Sequence, residues 1–243
     1  MTIFPLSEGS FTIDKTKIFI PFNKEEHHLQ HRPVGSLLVE IQPFVILTTR
    51  DIILIDTGLG FYTQEGILQL HQNLINNGIM PDTVTKVLLS HLHKDHAGGI
   101  RDKFNSRLSF PGALYYINKE ELAFAIATDS LSYEPGMYSL LAASGQLVEL
   151  DDLGTIDGYI SYEMSGGHSP YHTVFTIKEH DETIFYGGDV APQLQQMKNR
   201  LIAKYDFDGK KSMRLRNEWW EKGKQEHWTF LFYHDISSAL ISM

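Results

Sequence analysis

The sequence predicts a layered α/β fold, and three observations lead to it. Short runs of β-branched, leucine and aromatic residues alternate with a few longer stretches of helical composition. The 243 residues are 42% hydrophobic, enough to bury a large core, and read as a single domain over residues 1–243. Several strand candidates also run directly into a histidine or an aspartate, which gathers polar chemistry at strand ends.

Strand candidates open at 17–20, 36–42 and 45–48. Residues 52–55 are a short buried-strand pattern running into Asp56-Thr57-Gly58. A helix fits 64–76, followed by strands at 87–89 and 114–117 and a helix at 119–127. The second half supplies strands at 159–164, 173–178 and 183–186, a helix at 209–223 and a strand at 229–233. No internal repeat or low-complexity segment interrupts the pattern.

The block His91-Leu92-His93-Lys94-Asp95-His96 follows the 87–89 strand and precedes Ala97-Gly98-Gly99. Three imidazoles and a carboxylate this close together cannot all enter an apolar core, because each brings a polar group that needs a partner. A divalent metal satisfies all of them. Nitrogen and oxygen donors without thiolate suit zinc, and also iron or manganese. Side chains two apart on an extended backbone point the same way, so His91 and His93 can converge on one ion. Asp95 and His96, on the turn that follows, diverge from that pair and can reach a second; Gly98 and Gly99 let the backbone turn tightly. Further ligands are expected at other strand ends, at Asp56, His168, Asp189 and His234.

With these residues the chain resembles the metallo-β-lactamase superfamily of metal-dependent hydrolases, over nearly its whole length from Asp56-Thr57-Gly58 to His234. The His-x-His-x-Asp-His element is specific; the other motifs would be weak alone. The resemblance implies a four-layer αββα sandwich with the metals at one edge. It implies that His91, His93 and His168 hold one metal, that Asp95, His96 and His234 hold the other, and that Asp189 bridges them. Asp56 is similar to the family's early aspartate, which supports the histidine loop by hydrogen bonds. Such a ligand set leaves open positions on both ions, where a bridging water loses its proton near neutral pH and attacks a carbonyl or phosphoryl group. Asp95 would orient that nucleophile or pass a proton to the leaving group. Asp95 and Asp189 are therefore the expected catalytic carboxylates, and the expected activity is hydrolysis of a carboxylic ester or lactone.

The alternatives are a phosphodiesterase or phosphotriesterase of the same fold, or a non-catalytic metal-binding protein. Acyl-homoserine lactone lactonases often carry a tyrosine shortly after the bridging aspartate, where this chain reads Val190-Ala191-Pro192. The stretch Lys204-Tyr205-Asp206-Phe207-Asp208 resembles the subgroup of lactonases, arylesterases and methyl-parathion-type hydrolases, and Tyr205 could fold back toward the metals. His93 counts against flavodiiron-type relatives, which usually have a carboxylate at its place.

A net charge of −9 and a pI near 5.7 argue against nucleic-acid binding and polyanionic substrates. The most basic stretch, 198–216, is broken by Asp206 and Asp208 and reads as a solvated helix face. The absence of cysteine excludes disulfides and thiolate zinc sites. Residues 1–8 lack a basic, apolar leader pattern, and no run approaches the roughly 20 apolar residues of a spanning helix, so the expected setting is cytoplasmic, without a membrane. The expected partner is a small-molecule substrate, and a homodimer is left open. His27, His28 and His31 read as a solvated loop or site rim; His71, His180 and His227 as surface or packing residues; Trp219 and Trp220 as core or interface aromatics; His172 as a support to the ligands.

Overall fold

The computed structural model describes residues 1–104 and 106–243. In chain order the strands are β1 (Thr2–Pro5), β2 (Gly9–Ile13), β3 (Ile20–Pro21), β4 (Leu37–Ile41), β5 (Phe44–Leu47), β6 (Ile52–Ile55), β7 (Lys86–Leu88), β8 (Arg101–Asp102) and β9 (Arg107–Leu108). They continue with β10 (Leu114–Asn118), β11 (Leu147–Leu150), β12 (Leu153–Ile156), β13 (Ile160–Met164), β14 (Thr173–Glu179), β15 (Glu182–Tyr186), β16 (Thr229–Leu231) and β17 (Leu240–Ser242). The helices are α1 (Gln69–Asn76), α2 (Lys94–Ala97), α3 (Lys119–Ala127), α4 (Tyr138–Ala143), α5 (Leu194–Lys198) and α6 (Gly209–Glu226).

One six-stranded sheet runs β1-β5-β6-β7-β10-β11, antiparallel as far as β6 and parallel beyond it. The other runs β12-β13-β14-β15-β16-β17, with only β15 and β16 parallel. The two-residue period of a strand sorts side chains onto two faces. Phe44, Ile46, Ile53 and Ile55 of the first sheet meet Ile160, Phe175, Ile184, Tyr186 and Leu231 of the second, so the sheets pack face to face. Their alternating neighbours face outward. Val45, Leu54 and Val87 pack with Leu70 and Leu74 of α1, Leu122 of α3 and Leu141 of α4. Phe185 and Phe230 pack under Trp219 and Trp220 of α6. This is the αββα layering implied by the resemblance, and it explains why 52–55 is apolar without interruption: both faces of β6 are covered.

Several boundaries differ from those expected of the sequence. The expected strand at 17–20 is mostly irregular and follows a turn: Lys17 has a left-handed backbone (φ 58°), and its N–H donates to the Asp14 carbonyl at 3.1 Å. Only Ile20 of that stretch enters a strand, and β2 lies upstream. The 64–76 helix begins at Gln69, because Thr63–Gly66 closes a turn with Gly66 at φ 77°. Asp95 and His96 lie on the short helix α2 where a turn is expected. The last long helix extends to Glu226, stopped by left-handed His227. Strands β1, β2, β8, β9, β11, β12 and β17 have no counterpart in the sequence pattern. Asp151 and Asp152 separate β11 from β12, which belong to different sheets. The basic stretch is not wholly solvated either. Arg216 is buried and donates to the Val190 carbonyl at 2.7 Å and to that of Leu201. Among the described residues, no helix is long and apolar enough to cross a membrane.

The loop after β6 rests on a buried carboxyl. Glu8 accepts the Leu59 N–H at 2.7 Å and packs against Gly58, where a Cβ would fall 2.4 Å from its oxygen. Burial raises the Glu8 carboxyl to about 8 from 4.5, partly opposed by the Leu59 hydrogen bond. A carboxyl raised in the folded state contributes stability that is complete below the unfolded value of 4.5 and is lost as pH climbs through about 8. Glu8→Gln should therefore gain on the wild type by about 1.4 kcal/mol per pH unit between those limits. Denaturant unfolding of both proteins at several pH values measures the difference; parallel stability curves would show that Glu8 does not titrate in that range.

Candidate metal centre

The site is assembled where strands of both sheets end. β7 leads through Leu89 and Ser90 to His91, and Leu92 is fully buried, so the backbone places His91 and His93 on either side of an anchored core residue. Leu92 is held at both polar groups: its N–H donates to Glu121 Oε1 at 2.9 Å and its carbonyl accepts from the Tyr138 hydroxyl. α2 then turns His96 inward. Gly98 and Gly99 do not adopt positive φ; they are needed for close approach, since a Cβ would fall 2.3 Å from the Leu59 oxygen at Gly98 and 2.1 Å from the Thr57 oxygen at Gly99.

His168 follows β13, after Gly166 and Gly167 at φ 58° and 92°. Asp189 follows β15, and His234 follows β16. The seven candidate ligands come together in two groups. His91, His93, His168 and Asp189 form one; Asp95, His96 and His234 form the other; within each, the donor atoms lie within 4.8 Å of one another. Asp189 reaches both: its Oδ2 is 3.3 Å from His168 Nε2, and its Oδ1 is 3.2 Å from His96 Nε2 and 3.1 Å from His234 Nε2.

The outer nitrogens of these rings are fixed by neighbours. His96 Nδ1 faces Asp56 Oδ2 at 2.8 Å, His168 Nδ1 faces Asp206 Oδ1 at 3.1 Å, and His234 Nδ1 donates to the Glu40 carbonyl at 2.7 Å. Each therefore presents Nε2 to the interior. His91 Nε2 lies 2.9 Å from His93 Nδ1, and that atom lies 3.1 Å from His168 Nε2. Imidazole nitrogens this close need either a shared proton or a cation between them, and a divalent ion serves all three rings at once.

The electrostatics point the same way. Burial, with neighbouring imidazoles, holds His91 and His93 well below the usual imidazole range. Burial would also depress His96 and His234, but Asp189 and its neighbouring carboxylates carry both above that range. For Asp189 itself burial acts upward, yet His234, His96 and His168 hold its carboxyl well below the usual carboxylate range. The carboxylates thus draw positive charge into the cavity, and the protons they favour on His96 and His234 are those a dication would displace. Asp189 Oδ1 is buried, and although His96 Nε2 and His234 Nε2 lie 3.2 and 3.1 Å from it, neither meets it in hydrogen-bond geometry; a cation between them is the partner that would satisfy it. The residues fit divalent metal on donor chemistry, on ring orientation and on this orphaned oxygen.

His172 has both ring nitrogens engaged, one with Ser165 Oγ at 3.0 Å and one accepting the Asp189 N–H at 3.1 Å, so it positions the Asp189 backbone. Tyr205 forms part of the wall of a cavity of ≈ 790 Å³ that opens onto His93, Asp95, His168, Asp189 and His234. Its ring is 5.8 Å from that of His168. His27, His28 and His31 are exposed and lie outside both groups. His71 is hydrogen-bonded to the Ser109 carbonyl at 2.9 Å.

Glu121 belongs to the site without announcing itself in the sequence. It is fully buried on α3, where its spacing from the N-capping Asn118 is that of a helix-capping glutamate. Its carboxylate instead accepts from Leu92 N–H, from the Tyr133 hydroxyl at 3.1 Å and from Ser169 Oγ at 3.2 Å, tying the His91–His93 loop to the loop that carries His168. Tyr133 in turn packs its ring 4.7 Å from His93. Asp206, behind His168, is a second partner without a sequence signal.

A family profile described as Metallo-beta-lactamase superfamily matches residues 39–219. No curated protein sequence matches the chain. Among solved structures, a probable metal-dependent hydrolase from Staphylococcus aureus is similar with a TM-score of 0.79 and 22% identity, covering 99% of this chain and 91% of that one. AidC, described as a dizinc quorum-quenching lactonase in complex with a product, is similar with a TM-score of 0.75 and 22% identity, over 98% of this chain and 88% of its own. The hydrolase AbOPH, described as in the beta lactamase superfamily, is similar with a TM-score of 0.75 and 21% identity, over 99% and 89%.

Glu121→Ala would leave three buried donors unpaired, so it should cost on the order of 3 kcal/mol in denaturant unfolding. Glu121→Gln, which keeps an acceptor, should cost much less. Equal losses in the two variants would show that the volume of the side chain matters and its hydrogen bonds do not.

Proposed function

The chain belongs to the metallo-beta-lactamase superfamily, and on that premise we propose that it is a dinuclear metal-dependent hydrolase of carboxylic esters or lactones. His91, His93 and His168 would hold one divalent ion and Asp95, His96 and His234 the other, with Asp189, which reaches both groups, shared between them. Zinc is favoured by the nitrogen-rich donor set, with iron or manganese as alternatives. The observation that carries the reading is the gathering of five imidazoles around the Asp189 carboxylate, whose Oδ1 lacks any hydrogen bond, at the floor of a cavity large enough for a small-molecule substrate.

When bound, the ions would supply Lewis acidity for the scissile group and lower the pKa of a water toward neutrality. The protein does the rest. His96, His168 and His234 are locked by their outer hydrogen bonds, so their inner nitrogens need no reorganisation. Asp95, on α2 and lining the cavity, would orient the attacking water and carry a proton to the leaving oxygen. Tyr205, raised to about 12 by burial, stays a neutral phenol and can donate a hydrogen bond to a substrate oxygen. The similarity in fold to a protein described as a lactonase makes ring opening of lactones the first reaction to test.

A phosphodiesterase or phosphotriesterase built on the same residues is the second reading, since the same donor set can serve attack at phosphorus. Elemental analysis should find close to two metal ions per chain. Asp189→Ala should lose metal and turnover together, and His172→Ala should lose less of both. Metal-replete protein assayed on lactones, aryl esters, phosphotriesters and phosphodiesters should show its highest kcat/KM on an ester or lactone; a phosphodiester ahead of all of these would reverse the order of the two readings.

A further inference from the structure

The cavity above the metal ligands is cationic in a chain whose net charge is −9. Lys15, Lys17, Arg32, Lys94 and Lys204 all line it. Apart from the candidate ligands Asp95 and Asp189, the one carboxylate among its described lining residues is Asp14. Asp14 keeps its charge but is held in its own turn, where its Oδ1 accepts the Thr16 N–H at 2.9 Å and the Thr16 hydroxyl, so one carboxylate stands against the five cationic side chains.

That same turn presents Lys17. The Lys17 N–H closes the turn on the Asp14 carbonyl, and the residue sits at φ 58°, a left-handed conformation that a side chain with a Cβ seldom adopts without a compensating constraint. Among the described residues, the lysine ion pairs are made by Lys24, Lys86, Lys119, Lys222 and Lys224. Among the described residues, Lys17 and Lys94, which line the cavity, make no ion pair with a carboxylate. Phe19, Leu37 and Ile202 provide apolar wall in the same cavity.

We propose that the substrate carries, besides its ester or lactone bond, one anionic group at a distance from the scissile carbonyl, and that Lys17, in the strained turn at the cavity wall, is the residue that selects it. The inference rests on the hydrolase reading for the bond broken, and on the cationic cavity for the anion. Carboxylate, phosphate and sulfonate share the required chemistry. A flexible spacer along Phe19, Leu37 and Ile202 would join the anion to the scissile bond.

Two esters with a common leaving group separate the charge from the chemistry: mono-p-nitrophenyl suberate, anionic at its far end, and p-nitrophenyl octanoate, neutral. With metal-replete enzyme the anionic ester should have a KM lower by about two- to fivefold, the effect of one part-exposed ion pair. The advantage should shrink in about 0.5 M NaCl, where charges more than a few ångströms apart are screened. Lys17→Gln should raise KM for the anionic ester about two- to fivefold more than for the neutral one, and Lys17→Arg should restore the preference. Equal KM values for the two esters, or equal effects of Lys17→Gln on both, would overturn the proposal. Calorimetric titration of the metal-loaded protein with hexanesulfonate gives a readout apart from turnover. Loss of binding in Lys17→Gln with no cleavage of either ester would uphold the anion site and sink the hydrolase reading; sulfonate binding indifferent to Lys17 would sink the anion site.

Discussion

The buried carboxylate of Asp56 is the point at which the two sheets and the histidine loop are tied together. It sits at the end of β6 in the first sheet and accepts from the Ser90 N–H and hydroxyl, from His96 Nδ1, and from the hydroxyl of Tyr186 on β15 in the second sheet. A fully buried carboxylate is tolerated only when its oxygens are supplied with donors, so none of these four can be moved without cost. The left-handed backbone of Asp56, at φ 56°, is held by the same contacts, together with the bond from Thr57 N–H to the His96 carbonyl at 2.6 Å. The exit of β7, the orientation of α2 and the spacing of the sheets at that edge all follow from satisfying one carboxylate.

The site inherits its rigidity from that arrangement. The ligand loops are each held by a buried group that lies outside the ligand set: Asp56 behind His96, Asp206 behind His168, the Glu40 carbonyl behind His234, and Glu121 beneath the His91–His93 and His168 loops together. Hydrogen bonds on the far side of an imidazole fix both its tautomer and its direction. His172 does the same for Asp189 through the backbone. The sandwich thus converts a set of flexible loops into a preorganised cradle, with the apolar core between the sheets as its rigid floor.

Much of this is legible in the sequence, for a physical reason. The buried strands are continuous apolar runs because both of their faces are covered, and a dense cluster of imidazoles and carboxylates at strand ends has few uses besides metal binding. His91, His93, Asp95, His96, His168, Asp189 and His234 do converge in space, as their positions at strand ends suggest. Partners drawn from far along the chain are not legible. Glu121 occupies an ordinary capping position, and only the packing of α3 turns it inward; Asp206 meets His168 through a loop with no periodic pattern. Short edge strands such as β1 and β17 are set by pairing with neighbours instead of by local composition, so they too escape. Lys17 reads as strand because its apolar neighbours outweigh the Asp14–Thr16 turn chemistry that in fact decides its conformation.

The charge of the whole chain is a poor guide to the field inside its cavity. A net charge of −9 describes a surface whose separate charges are screened within a Debye length of about 8 Å at physiological ionic strength. Inside a concave site, partly shielded from water, the nearest charges dominate. There the balance is reversed: Lys17, Lys94 and Arg32 line the wall, Asp14 is held in its own turn, and Asp95 and Asp189 are turned toward the ligand cluster. The acidic total argues against a long polyanion that must track across the exterior. It carries no argument against a small molecule whose single anion enters the cavity, where a lysine held in a strained turn is positioned to meet it.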